Sequence, residues 1–311
     1  MKKLKVIFMG TPDFCVPILE MLIEKHQVIA VVTQPDKKVG RKQCITFSPV
    51  KEVAIANNIR VIQPVKIKEE YDKVLLLNPE IIITCAYGQI IPEVMINYPQ
   101  YGCINVHASL LPKLRGGAPI HKAIMNGLDK TGITIMYMDK NMDTGDIISK
   151  QELDISNTDT TELLYNKLSK IGASLLEKTL DDMVSGVINR KAQNNEEATY
   201  AYAITREEEH IDFSKNSLEI YNQIRGLNNF PGAYALLNGE NVKIWLSKIG
   251  DKKFEDKPGT IVDISKDGIV VTTGDGTIII TELQIPGKKK TAVKDYINGI
   301  KAKDLIGKKF I

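Results

Sequence analysis

An amide, an imidazole and a carboxylate stand near one Gly/Pro-rich turn of this chain. Asn105 and His107 lie in the triplet Asn105-Val106-His107, and Asp143 lies in Met142-Asp143-Thr144-Gly145-Asp146. Such a set suits the transfer of a carbonyl group onto an amine. Attack on a carbonyl carbon gives a tetrahedral species whose oxyanion needs a donor, which the Asn105 NH₂ supplies, while His107 accepts the amine's proton. Asp143 then orients the imidazole or stabilises its charge. Alternation along the strand-like run Cys103–Val106 puts Asn105 and His107 on one face, so both side chains can reach one crevice.

The elements that must hold these groups follow from the apolar pattern. Lys5–Met9, Val28–Thr33, Glu80–Cys85, Gly102–His107 and Gly132–Met138 read as strands, and Pro12–Glu24, Pro49–Asn57, Ile67–Leu77 and Ile120–Gly127 read as helices between them. That rhythm predicts an α/β fold, a doubly wound, mostly parallel sheet with helices on both faces. Thr11 is the expected N-cap of the first helix, with Pro12 at its first position. Ligands of such sheets bind beyond the carboxyl ends of the strands, where Asn105, His107 and the run Ala86–Ile91 fall. A long helix from about Thr160 to Ser185, with Leu163, Leu164, Leu168, Ile171, Leu175 and Leu176 at helical spacing, closes this part.

Residues 1–188 are thus expected to form a catalytic domain, and the polar stretch 189–206, without periodic hydrophobicity, a linker. Beyond it, a helix near Leu218–Leu227 precedes short strands bounded by Asn238-Gly239, Lys266-Asp267-Gly268 and Gly274-Asp275-Gly276, which are hairpin signals. They predict a small closed β-barrel over 207–311.

Composition is that of an ordinary soluble globular chain, with 43% hydrophobic and 25% charged residues in 311. The opening Met-Lys-Lys-Leu-Lys runs into a strand and not into a leader, and no membrane-length apolar stretch follows, so the expected location is cytoplasmic and no membrane partner is expected. A monomer is the expected state. Cys15, Cys44, Cys85 and Cys103 lack metal-ligand spacing and read as reduced structural thiols. The net charge is +3, and 25 basic residues face 23 acidic ones up to Arg206 and 16 face 15 beyond it. Affinity for nucleic acid must therefore come from local patches such as Lys37-Lys38, Arg41-Lys42 and Lys288-Lys289-Lys290.

The run Asn105-Val106-His107-Ala108-Ser109-Leu110-Leu111-Pro112, with Arg115-Gly116-Gly117-Ala118-Pro119-Ile120 and Met142-Asp143-Thr144-Gly145-Asp146, resembles the signature of folate-dependent formyltransferases. Met9-Gly10-Thr11-Pro12-Asp13-Phe14, Thr33-Gln34-Pro35-Asp36 and Ala86-Tyr87-Gly88-Gln89-Ile90-Ile91 narrow the resemblance to members acting on charged initiator tRNA. It runs from about Lys5 through the rest of the chain. It implies transfer of the formyl group of 10-formyltetrahydrofolate to the α-amino group of methionine esterified to initiator tRNA, in translation initiation. It further implies Asn105, His107 and Asp143 as catalytic residues, and folate contacts by Ser109, Leu110, Leu111, Pro112, Tyr87, Gly88 and Ile90. The long loop 34–48, with Arg41 and Lys42, would engage the acceptor stem, and an OB-like barrel would contact tRNA. Gln43-Cys44-Ile45 makes that loop poorly basic.

Alternatives accompany these assignments. Leu110 and Leu111 serve equally as core residues, and Tyr87, Gly88 and Ile90 as a turn after a buried strand. Asp139, Asp143 and Asp146 could gather a magnesium ion, although formyl transfer needs no Lewis acid, and no metal is expected. Gly10-Thr11-Pro12-Asp13-Phe14-Cys15 lacks the glycine spacing of a dinucleotide-binding turn, which argues against a nicotinamide oxidoreductase. A non-catalytic RNA-binding module gives no reason for Asn105, His107 and Asp143 to occur together.

Overall fold

The computed structural model describes residues 2–39, 44–297 and 302–311. Two compact units divide the chain: Met1–Pro119 with Lys130–Asp154 and Tyr165–Tyr202, and Ile120–Asp129 with Ile155–Leu164 and Ala203–Ile311.

In the first unit the strands are β1 (Lys5–Gly10), β2 (Gln27–Val32), β3 (Lys37–Val39), β4 (Cys44–Thr46), β5 (Val61–Ile62), β6 (Ile81–Cys85), β7 (Cys103–His107), β8 (Lys130–Tyr137) and β9 (Ile147–Asp154). Seven of them form one sheet in the order β5-β2-β1-β6-β7-β8-β9, and β3 pairs β4 apart from it. β5, β2, β1, β6 and β7 run parallel, while β8 and β9 are antiparallel additions at one edge. β6 is buried along its whole length, as a strand covered on both faces must be, which is why Ile81-Ile82-Ile83 shows no alternation.

The first connection differs from expectation. Asp13–Cys15 forms a 3₁₀ turn and the α-helix begins at Val16, so Thr11 is no cap. Its hydroxyl instead donates to the Tyr87 carbonyl at 3.3 Å and accepts from the Gln34 amide at 3.4 Å. The expected helix Ile67–Leu77 is two short ones, Ile67–Glu70 and Asp72–Leu75, on either side of Tyr71. The long helix spans Thr161–Val184, with Leu164, Leu168, Leu176 and Leu180 fully buried and Leu163 half exposed.

The second unit carries β10 (Ala233–Leu237), β11 (Glu240–Gly250), β12 (Ile261–Ser265), β13 (Gly268–Thr272), β14 (Thr277–Gln284) and β15 (Thr291–Ala292) in an antiparallel sheet ordered β10-β11-β14-β13-β12, with β15 on β14. The Gly-bearing dipeptides and tripeptides of the sequence form the β10–β11, β12–β13 and β13–β14 turns. Residues 307–311 run between the two outer strands. Ile311 exchanges backbone hydrogen bonds with Leu236 of β10, while the Ile261 amide of β12 donates to Lys308 and Phe310 donates to Gly259. The segment thereby satisfies edge groups that an open sheet leaves exposed. The helix Ser217–Gly226 starts with a capping box of Asn216 and Glu219 and packs Ile220 and Ile224 among Val242, Ile244, Val271, Ile278, Ile280 and Phe310. Among the described residues no helix is long and apolar enough to cross a membrane.

Candidate active site

β7 pairs with β6 and β8 so that Thr84 and Met136 flank Asn105, and Thr134 lies opposite His107. The Thr84 hydroxyl donates to Asn105 Oδ1 at 2.9 Å. A carbonyl oxygen only accepts, so this contact fixes the amide orientation and leaves the NH₂ of the half-buried Asn105 as the donor end. His107 is 6% exposed. Its Nε2 lies 3.1 Å from the Leu114 carbonyl and, facing an acceptor, carries the proton. Nδ1 is then the basic nitrogen, and it lies 3.6 Å from Asp143 Oδ2.

Asp143 is positioned by its backbone. It takes φ of 55°, a left-handed conformation that Asp tolerates better than most residues, and its Oδ2 accepts the Gly116 amide at 2.8 Å. The neighbouring carboxylates turn elsewhere: Asp139 accepts from the Thr144 hydroxyl at 2.7 Å, and Asp146 pairs with Arg190 at 3.2 Å. Gly145 lies so close to β8 that a Cβ there would fall 1.8 Å from the Tyr137 carbonyl, which presses the turn against the sheet.

A residue that the sequence did not single out ties this turn down. Gln193 Nε2 donates to the carbonyls of Asp143 at 2.9 Å and Gly145 at 2.7 Å, while its Oε1 accepts from Arg115 at 2.8 Å. Arg115 is 2% exposed, and its Nη2 also donates to Asn195 Oδ1 at 2.8 Å. Thr199 and Ala201 continue the contact with backbone hydrogen bonds to Arg115. Residues 189–202, read above as linker, thus form part of the first unit. Polar residues without periodicity gave no signal, because their partners lie about fifty to eighty positions away.

The residues expected to meet folate divide into groups. Tyr87 is buried in the core with Ile67, Val74, Ile82 and Met95, its hydroxyl has no partner among the described residues, and burial pushes its ionisation up. Its carbonyl faces the loops instead, accepting from Gln34 Nε2 at 2.9 Å and from Thr11. This stitches together the loops after β1, β2 and β6. Gly88 at φ of 87° continues the loop, and Ile90 stands 88% exposed, an apolar side chain at the carboxyl edge with nothing of this unit covering it. Ser109 is buried and donates to the Lys113 carbonyl at 2.6 Å. Leu111 packs with Met136 and Ile147, as a core residue does, whereas Leu110 stays half buried. Pro112 lines a separate cleft of about 620 Å³ with Ile147, Lys150, Lys191 and Gln193. Arg41 and Lys42 lie outside the described residues.

In the second unit, Lys290 pairs with Glu282 at 3.2 Å and lies 5.1 Å above the Trp245 ring. Of the expected Lys288–Lys290 patch, this cation is therefore engaged within the unit.

Residues 2–180 match the formyl transferase family and 203–301 the formyl transferase C-terminal domain. A methionyl-tRNA formyltransferase of Bacillus subtilis is 51% identical over 309 residues, covering 97% of this chain and 98% of that protein. Among solved structures, an N-formyltransferase from Helicobacter canadensis in complex with folinic acid and dTDP-3-aminofucose superposes with TM-score 0.67 at 24% identity, over 93% of this chain and 100% of that one. HypX from Aquifex aeolicus, in complex with tetrahydrofolic acid, superposes with TM-score 0.68 at 15% identity; this chain spans 47% of its length, and 95% of this chain is covered. With both units matched and identity near one half along almost the whole length, the chain belongs to the methionyl-tRNA formyltransferase family of formyl transferases.

Proposed function

We propose that this protein transfers the formyl group of 10-formyltetrahydrofolate to the α-amino group of methionine esterified to initiator tRNA, giving formylmethionyl-tRNA. The observation that carries the reading is Asp143 Oδ2 at 3.6 Å from Nδ1 of His107, on the strand that also carries Asn105, whose amide oxygen is held by Thr84.

The folate supplies an activated formyl group. Asn105 donates its NH₂ to the formyl oxygen as that atom gains charge. His107 takes the amine's proton on Nδ1 as the new C–N bond forms, and returns a proton to the folate nitrogen as the old C–N bond breaks. Asp143 stabilises the imidazolium between those events, held by Gly116 and by the Gln193 tether of its turn. The fit to a flat ring system rests on the exposed Ile90, the half-buried Leu110 and the backbone of the Gly88 turn. Arg41 and Lys42 are assigned to the acceptor end of the tRNA, and the second unit to its phosphates.

Incubation with 10-formyltetrahydrofolate and methionyl initiator tRNA tests the reading, with a dTDP-amino sugar as a parallel amine. Formylmethionine on the tRNA, and none on the sugar, is the expected result. Formylation of the sugar alone would overturn it.

A further inference from the structure

Exposed aromatic rings stand on the segment that tethers the Asp143 turn. Strand-like alternation there buries Ala201 completely and turns its neighbours outward, leaving Tyr200 49% and Tyr202 62% exposed. Their rings stack face to face, 5.6 Å between centroids and 4° from parallel. Neither ring belongs to a buried core, and the two present a stacked aromatic pair at the surface.

The position of the pair gives it a direction. Tyr200 forms a parallel bridge with Arg115, the Ala201 amide donates to the Arg115 carbonyl at 2.7 Å, and the Ala118 amide donates to the Ala201 carbonyl at 2.9 Å. The residue after Arg115 is Gly116, whose amide holds the Asp143 carboxylate opposite His107. The backbone that carries the tyrosines is thus tied, through Arg115 and Gly116, to the carboxylate that faces His107. Earlier in the same segment, Lys191 lines the 620 Å³ cleft together with Lys150, whose ammonium donates to the Leu111 carbonyl; Glu197 also borders it. Burial, joined by the Lys191 charge, makes Lys150 a weaker hydrogen-ion binder than an ordinary lysine, with Glu197 and Glu152 partly opposing the effect.

Open aromatic faces beside cations are the means by which proteins hold unpaired nucleic acid without reading its sequence, with bases on the rings and phosphates at the charges. The amine substrate proposed above arrives on the unpaired 3′ end of a tRNA, so bases of that end must pass within a few nucleotides of His107. We propose that Tyr200 and Tyr202 are a stacking platform for the unpaired 3′ nucleotides of the aminoacylated tRNA, with Lys150 and Lys191 receiving their phosphates. The proposal rests on tRNA being the amine substrate.

Steady-state formylation by the full chain tests it. In a folded Tyr200→Ala/Tyr202→Ala protein, KM for methionyl initiator tRNA should rise about 10-fold or more while KM for 10-formyltetrahydrofolate stays the same. Tyr200→Phe/Tyr202→Phe, which keeps the rings, should restore tRNA use. A Tyr202→Trp protein should lose indole fluorescence on titration with the tetranucleotide ACCA, more weakly as salt rises. An unchanged KM for tRNA in the double alanine protein, or a phenylalanine protein as impaired as the alanine one, overturns the platform. No formylation of charged tRNA by the wild-type protein, with ACCA still quenching the indole, would instead overturn the assignment of substrate.

Discussion

The His107 ring donates from Nε2 to the Leu114 carbonyl at 3.1 Å, which decides which nitrogen does the chemistry. With Nε2 occupied, Nδ1 is left to accept the amine's proton, 3.6 Å from the Asp143 carboxylate. Replacing His107 by Ala should cut kcat by roughly 10²–10⁴ with little loss of tRNA or folate affinity. His107→Gln keeps a donor for Leu114 but lacks a base, and should be nearly as slow. Near-wild-type turnover in either folded variant would remove His107 from proton transfer.

The Thr84 hydroxyl holds Asn105 Oδ1 and leaves the NH₂ as the donor that the proposed mechanism uses. Loss of one oxyanion donor costs about 2.7–4 kcal/mol, so Asn105→Ala should lower kcat by about 10²–10³ and leave KM for folate close to its original value. Asn105→Asp, isosteric but without the donor, should fail equally. A change confined to KM would make Asn105 a binding group.

Gln193 serves Arg115 on one side and the Asp143 turn on the other, and two substitutions separate these roles. Gln193→Ala leaves a buried guanidinium with Asn195 as its remaining side-chain acceptor and should cost about 1–3 kcal/mol of stability as well as turnover. Gln193→Glu keeps an acceptor for Arg115 but loses the donor to the Asp143 and Gly145 carbonyls. It should hold the urea midpoint yet lower kcat. Full activity in the glutamate variant would show that the turn needs no tether.

Burial lowers the His26 pKa, with Asp181 and Glu177 partly opposing the effect, and the Leu4 amide approaches Nδ1 at 3.5 Å. The unfolded chain, with an ordinary value of about 6.5, therefore binds a proton more readily than the folded one. This contribution to stability is complete above the ordinary value and declines as pH falls past it, levelling off below the folded pKa. His121 shifts the same way through burial. Urea midpoints at pH 7.5 and 5.5 should differ less in His26→Asn than in wild type. An equal difference would assign the acid sensitivity to other groups.

Much of the candidate site was legible because it depends on short-range rules. Alternation puts Asn105 and His107 on one face, a Thr-Gly turn suits the presentation of one carboxylate, which the family resemblance identifies as Asp143, and three Gly-bearing turns announced the hairpins. What escaped was set by distant partners. No local pattern says that Tyr87 turns its ring into the core while Ile90 stays in solvent, or that residues 307–311 supply the hydrogen bonds of two outer strands. The first helix began four residues later than Pro12 suggested, because Asp13 took its place in a 3₁₀ turn whose amide at Phe14 is held by the Tyr165 hydroxyl.

The tether of Gln193 also sets where the smallest active piece of this fold can end. A fragment stopping after Val184 would retain every strand of the seven-stranded sheet and the three side chains proposed as catalytic. It would nevertheless leave Arg115 without its amide acceptors and the outer strand β9 without Lys191, whose backbone pairs with Ile147. Such a piece would hold the Asp143 turn without its latch, which only extension through Ala201 restores. A boundary drawn by counting strands and helices falls short of the one drawn by chemistry.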